Sequence, residues 1–168
     1  MTQPASVTFD GTDLVLWVPA IADPEYPALS ELEAGGVLDV SCYFTDTGWN
    51  PSMTEDKVND NRLCSRINFS KPGRKTFDVP LLYVFNPESP DDDEARTTLV
   101  DGATGYFVER PAADSTVPIA AWDYVWVYPV ELGKPFRGSQ TANMPWIMSQ
   151  TAHVRPPGVT DLVPVIAS

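Results

Sequence analysis

Residues 123–130 read Asp-Tyr-Val-Trp-Val-Tyr-Pro-Val, a segment in which aromatic residues alternate with valines. Residues of these types favour β-strands. Because successive side chains of a strand point to opposite faces, both faces of this strand are apolar. We therefore expect a strand that is covered on both sides, by the core on one side and by a helix or another subunit on the other.

The segments around this strand have a similar character. Seventeen prolines and ten glycines leave little room for long helices. Between these residues lie short segments rich in β-branched and aromatic side chains, which are typical of strands. The predicted strands are residues 14–18, 37–45, 63–69, 76–85, 106–109, 124–130, 146–154 and 162–166. The chain is thus predicted to be a mainly β protein with one domain over residues 1–168.

One helix is predicted, over residues 90–101. Ser89 suits the N-cap, and Pro90 suits the first helical position. Four carboxylates follow at 91–94, where the helix dipole favours negative charge. Ala95 and Leu99 would form the buried stripe. We prefer a helix start to a calcium site because consecutive carboxylates lack the alternating spacing of a calcium loop.

The net charge of −12 excludes a face that binds nucleic acid tightly, since an acidic surface repels phosphate. It still allows DNA to pass along the surface. The charges are also unevenly distributed: residues 1–56 hold ten acids and no base, whereas 57–75 hold six bases and one acid. Two interpretations remain open: this basic segment pairs with acids of its own fold, or with an acidic face of a neighbouring copy.

A long polar loop is predicted over residues 46–61, and loops of this length are usually functional. It contains Trp49 and Met53, residue types that are enriched in interfaces. We therefore expect a subunit interface formed by Trp49, Met53, Arg62, Arg66 and Lys71. The alternative is that Trp49 packs against its own domain. Extended arms are also expected at the termini, residues 1–10 and 155–168, and the apolar residues of the second arm need a partner surface.

No pattern of catalytic residues is present. His153 is the single histidine and has no acid or nucleophile at a meaningful spacing, and no phosphate-binding, nucleophile or metalloprotease motif occurs. Cys42 and Cys64 lack metal-ligand spacing and are expected to be reduced and buried. The chain is thus predicted not to be an enzyme and to need no cofactor or metal. No apolar run is long enough to span a membrane.

Several collinear stretches resemble the major tail proteins, or tail-tube proteins, of siphophages that infect actinobacteria. The stretches are residues 36–43, 60–65, 81–85, 95–100, 101–110, 122–130 and 150–154. They cover nearly the whole chain, and their order and spacing carry the resemblance. It implies a β-sandwich or partly closed barrel with one flanking helix, a long inter-strand loop and extended termini.

The resemblance also implies a structural role in the virion. Subunits of this family form hexameric rings that stack into a tail tube, the conduit for DNA ejection, after assembly in the host cytoplasm. A tape-measure protein and a tail terminator are the implied partners, and DNA passes without specific binding. Acids of the sheet would then face the lumen, with Asp78, Glu109 and Asp123 as candidates. The alternative function is a soluble β-sandwich that binds carbohydrate, for which five tryptophans are available.

Overall fold

The computed structural model describes residues 5–91 and 93–167. Within these residues the chain forms ten strands and two short helices, so the prediction of a mainly β fold is confirmed. In chain order the elements are β1 (Leu14–Val18), α1 (Leu29–Leu32), β2 (Leu38–Asp39), β3 (Phe44–Trp49), β4 (Ser52–Asp60), β5 (Phe69–Val84), α2 (Glu94–Thr98), β6 (Thr104–Arg110), β7 (Tyr124–Leu132), β8 (Phe136–Arg137), β9 (Ile147–Val154) and β10 (Val163–Pro164).

The strands form one antiparallel sheet that curls back on itself. Its main path runs β2-β1-β6-β7-β9-β5-β3, and β4, β8 and β10 pair at its sides. A flat sheet would place the first and last strands about 29 Å apart. The five residue steps from Asp39 to Phe44 can span only about 18 Å. The Phe44 N–H also donates to the Val40 carbonyl at 3.3 Å. The sheet is therefore a partly closed barrel.

The inside of the curl holds the first core cluster. Trp17, Trp49, Phe107 and Tyr128 come from four strands, and all are buried. The centre of the Trp49 ring lies 5.1 Å from that of Phe107 and 5.3 Å from that of Tyr128. These contacts connect β3, the last strand of the path, with β6 and β7 in its middle. Ala95 of helix α2 and its C-cap residue Leu99 add two fully buried side chains to the same cluster.

The outside of β1, β6 and β7 holds the second core cluster. It contains Val108, Val125 and Val127, and it is covered by Leu32 of α1 and by Val165 near β10. Strand β7 is thus covered on both faces, as its sequence predicts. The cover on the outer face belongs to the same chain, because the Val165 N–H donates to Asp123 and its carbonyl accepts from Trp122.

Several predicted elements differ from those observed. Helix α2 begins at Glu94, since Asp93 and not Ser89 is the N-cap, and Asp92 of the acidic run lies outside the described residues. A second helix, α1, accompanies it. Most of the predicted loop 46–61 is in fact strand, and most of the predicted strand 63–69 is in fact a turn. Residues 52–60 form β4, whereas 61–68 form the turn that leads to β5.

Candidate subunit interface

Strand β4 and the first half of β5 form a two-stranded arm, residues 52–76. The register runs from Ser52 opposite Asp78 to Asp60 opposite Phe69, with an irregularity between Glu55 and Lys57. Every residue of β4 except Asp60 is exposed. In β5 the exposed part precedes Val79, and the buried part follows it. The arm is therefore a ribbon that leaves the body with both faces open.

The arm carries the opposite charge to the rest of the chain. It holds six bases and three acids, whereas the other residues hold five bases and twenty acids. Some of its bases pair within the arm: Arg62 lies 3.1 Å and Lys71 3.6 Å from Asp60, and Lys75 lies 3.7 Å from Glu55. In all three pairs the base is largely exposed and the acid is about one-third exposed, so solvent screens the charges and the pairs stabilise weakly. An excess of positive charge remains available at the arm.

The predicted interface residues divide into two groups. Met53, Arg62, Arg66 and Lys71 lie on the arm or its turn, and each is exposed. Trp49 lies in the barrel, 8% exposed, in aromatic contact with its own domain. The alternative in which this tryptophan packs on its own chain is therefore the one observed, and Trp49 is not available as an interface anchor.

The position of Trp49 follows from the residue before it. Gly48 is buried against β5, where a Cβ atom would overlap the Leu82 carbonyl oxygen at 2.0 Å. The backbone can approach this closely only at glycine. The close approach of Gly48 to β5 lets the next residue, Trp49, pair with Leu81 of the barrel half of β5. The Trp49 Nε1 atom is buried without a hydrogen-bond partner among the described residues.

Exposed apolar side chains on the arm were missed by sequence reasoning. They are Val58, Leu63, Ile67 and Phe69, between 52% and 110% exposed. Exposed apolar side chains that gather on one element mark an interaction surface. The sequence does show apolar residues beside the basic ones, but residues 63–69 are typical of a strand and Val58 falls in the predicted loop, so neither pattern indicates an exposed apolar surface.

The three acids expected at the lumen occupy different environments. Asp78 is exposed on β5 beside the base of the arm. Asp123 is half-buried, accepts from the Ala120 N–H and lies 3.6 Å from Arg110. Glu109 is 9% exposed and lies in the interior, so it cannot line a lumen. Its carboxylate accepts a hydrogen bond of 2.7 Å from the Tyr128 hydroxyl.

A second carboxylate, that of Asp13, stands close to Glu109. Burial and, after it, the charge of Glu109 together raise the pKa of Asp13 to about 7. One Asp13 oxygen is buried without a hydrogen-bond partner among the described residues. The pKa of Tyr128 is also raised, by burial and then by Glu109. Glu109 is buried and Asp13 is half-buried, so neither carboxylate faces solvent freely.

The two termini behave differently from each other. Residues 5–10 of the N-terminal arm are exposed, and residues 1–4 lie outside the described part. The C-terminal segment is docked on its own chain, where β10 pairs with β7 and the Ile166 N–H donates to the Pro27 carbonyl. Its apolar residues therefore already have a partner surface, mainly through Val165, which is fully buried.

Residues considered for other chemistry are scattered. His153 is exposed on β9. Cys42 and Cys64 are free and exposed, which corrects the expectation of buried thiols, since both occupy turns. Trp17 and Trp49 are buried, while Trp122 and Trp146 are exposed on separate segments. Across residues 5–91 and 93–167, no helix has the length and apolar character needed to cross a membrane.

Comparisons with known proteins agree with this architecture. The model of the family described as "Phage tail tube protein" matches residues 1–165. A solved chain from the "Cryo-EM structure of the anti-feeding prophage (AFP) baseplate, 6-fold symmetrised" is similar, with a TM-score of 0.57 and 12% identity over 97% of this chain and 98% of that one. A search of the curated proteins finds no match. The chain belongs to the phage tail tube proteins and is a structural component of the virion tail.

Proposed function

We propose that the chain assembles into hexameric rings that stack into a tail tube, through which DNA leaves the virion. The observation that carries this proposal is the exposed arm. An isolated two-stranded ribbon is at best marginally stable in water. An arm with open faces, apolar side chains and a charge opposite to that of the body therefore favours contact with another copy.

Ring symmetry is supported by physical and comparative arguments. A single sheet with free edges invites uncontrolled pairing, and closure into a ring protects such edges. The solved chain of similar fold comes from an assembly described as six-fold symmetrised. We take six as the number of subunits, together with the siphophage origin and actinobacterial host that the sequence resemblance implies.

The charge of the body suits a conduit for DNA. Outside the arm, twenty acids stand against five bases, so a lumen lined by the body would repel phosphate. Asp78 is the exposed member of the expected lumenal set. A tape-measure protein inside the lumen and a terminator at the tube end are the partners that the family resemblance implies, and we propose neither a cofactor nor a catalytic role.

The assembly itself is tested by negative-stain microscopy and size-exclusion chromatography of the purified chain. Rings or tubes of uniform diameter are the expected result. A strict monomer that binds glycans would instead support the carbohydrate-binding alternative.

The lumenal role is tested in virus particles that carry Asp78→Lys. We expect intact tubes and slower genome ejection, because a lysine at the lumen would hold phosphate. The matched control is Glu33→Lys, which reverses an exposed acid next to α1. Ejection at the normal rate from Asp78→Lys particles would show that Asp78 does not line the lumen.

A further inference from the structure

Strand β5 connects the arm to a groove at the far end of the body. The strand has 16 residues, which corresponds to a length of about 50 Å. It begins in the arm and ends at Val84. Val84 and the next residue, Phe85, line a groove of about 360 Å³ together with Cys42, Tyr43, Ser89 and Asp93. The turn of the arm and the groove therefore lie at opposite ends of one strand.

The turn of the arm, residues 61–68, has the properties of a segment that inserts into a groove of another copy, and we call it the insert. Leu63 is fully exposed, at 110%, and Ile67 is 65% exposed. The turn holds two bases, Arg62 and Arg66, and no acid. Arg62 already pairs with Asp60, whereas Arg66 makes no ion pair among the described residues. The turn thus presents an apolar side chain beside an uncompensated positive charge.

The groove has complementary properties. Tyr43, Phe85 and Asp93 line it. Three exposed acids, Glu88, Asp91 and Glu94, lie within two residues of the lining residues Ser89 and Asp93 in the sequence, and we call them the acidic rim. The pKa of Tyr43 is raised by burial, and then by the charges of Glu94 and Asp93, so the negative field of the rim reaches into the groove. An apolar side chain that carries a cation beside it fits these surroundings.

We propose that the turn of the arm docks in this groove of the next copy along the tube, with Leu63 between Tyr43 and Phe85 and Arg66 against the acidic rim. This inference rests on the proposed tube and adds the receptor for the arm. Because insert and receptor lie at opposite ends of β5, the contact is head-to-tail. A contact of this kind leaves free inserts at one end of the assembly and free grooves at the other, so it propagates without limit.

The two cysteines supply a direct test, since Cys64 lies in the turn and Cys42 lines the groove. Within one chain they are separated by roughly the length of β5, about 50 Å, far beyond the reach of a short bismaleimide. Docking would bring Cys64 of one copy near Cys42 of the next. The experiment treats assembled tubes, mixed from isotopically light and heavy subunits, with a short bismaleimide and identifies the joined peptides by mass spectrometry.

The expected result is a ladder of covalent oligomers whose joined peptides pair Cys64 of one copy with Cys42 of another. Cys42→Ser and Cys64→Ser should each abolish the ladder while tubes still form. Tubes that yield no such pair, or that join Cys64 only to Cys64, would overturn the docking site and leave the tube proposal intact. A chain that forms neither rings nor tubes would overturn both.

A second test addresses the apolar contact. Leu63→Asp should raise the protein concentration needed for tube formation roughly tenfold or more, as expected for an anchor at the centre of an interface. Val117→Asp, at another exposed apolar side chain of the body, is the matched control and should assemble normally. Arg66→Glu should weaken assembly, and Glu88→Lys in the same chain should restore it. Normal assembly of Leu63→Asp, or absence of rescue by the second reversal, would count against the docking site.

Discussion

The arm and the barrel share strand β5, but the barrel half of this strand is buried and the arm half is exposed. In the barrel half of β5, Val79, Leu81 and Tyr83 are fully buried. In the arm half of the same strand, most side chains are exposed on both faces. Burial of apolar area stabilises the first half, at about 25 cal/mol per Å². Little such stabilisation is available to the second half within one chain.

This difference indicates a division of labour along one strand. The barrel half of the strand belongs to the buried core of the subunit, and we propose that the arm contributes chiefly to contacts between copies. Substitutions in the two regions should therefore separate cleanly: those in the barrel should change the free energy of unfolding, and those in the arm should change polymerisation.

The largest expected effect comes from removal of the arm. Residues 55–75 are replaced by Asn-Gly, a two-residue hairpin turn that joins the paired residues Thr54 and Thr76. We expect a folded subunit with a Tm close to that of the parent, because the barrel core is untouched. We also expect no tubes in electron micrographs. Long tubes from this variant would show that the arm is ordinary surface, and an unfolded variant would show that the barrel depends on it.

This variant replaces a deletion of residues 48–55 that the sequence alone would favour. Such a deletion would remove Gly48 and Trp49, which are buried in the barrel. It would therefore damage the core and the arm together. The boundary between core and arm lies after Trp49, because Gly48 packs against the Leu82 carbonyl oxygen and Trp49 is buried.

Sequence patterns predicted the barrel well because its signals are local. β1 matches the predicted residues 14–18, and β7 shows the expected burial on both faces. Ala95 and Leu99 were predicted as the buried stripe of the helix and are fully buried. The helix itself is shorter than predicted, since Asp93 caps it by accepting from the Arg96 N–H.

The arm could not be predicted in the same way. Residues 52–60, Ser-Met-Thr-Glu-Asp-Lys-Val-Asn-Asp, show no alternation because neither face is buried. The sequence suggests an exposed Trp49 through its place in a predicted polar loop, and a lumenal Glu109 through its place in a predicted strand of a family with an acidic lumen. Their burial depends on contacts with Tyr128 and Phe107, which are distant in sequence.

The second prediction tests the barrel. Leu99→Ala should lower the free energy of unfolding by about 2–5 kcal/mol, because it removes a fully buried side chain and leaves a cavity. Leu63→Ala is the matched control on the arm, where the same change removes a fully exposed side chain and should leave the Tm unaltered. Denaturant unfolding measures both. Equal effects of the two substitutions would contradict the division between barrel and arm.

The third prediction concerns the buried hydrogen bond between Tyr128 and Glu109. Tyr128→Phe removes the donor and leaves a buried carboxylate without it, which should cost about 1–3 kcal/mol. Tyr124→Phe changes an exposed residue of the same strand and serves as the control. A Tyr128→Phe protein as stable as the parent would show that Glu109 has another partner for its charge.

The fourth prediction concerns pH. The pKa of Asp13 is about 7 in the folded chain against an ordinary value of 3.8. As the pH rises, Asp13 loses its proton in the unfolded chain before it does so in the folded chain. The contribution of Asp13 to the free energy of unfolding is therefore fully present below about pH 4 and is lost progressively up to about pH 7. Asp13→Asn should flatten this part of the stability profile, measured by thermal unfolding across that range. Asp10→Asn, at an exposed position, should not, and an unchanged slope in Asp13→Asn would exclude Asp13 as its source.

The smallest expected effect is that of a cross-strand ion pair on the arm. Lys75 and Glu55 face each other across β4 and β5 with 3.7 Å between the charged atoms, and both are largely exposed. Exposed pairs contribute only about 0–1 kcal/mol, so Lys75→Gln should leave the Tm of the subunit within experimental error. Salt should screen the pair, and a stability difference between parent and variant at low ionic strength should vanish at high ionic strength. Lys75 lies at the base of the arm, where it lines a pocket with Trp126 and Tyr128 of the barrel. A loss of stability as large as that of Tyr128→Phe would therefore mean that the base of the arm stabilises the barrel. The arm and the barrel would then not be separate in their contributions to stability.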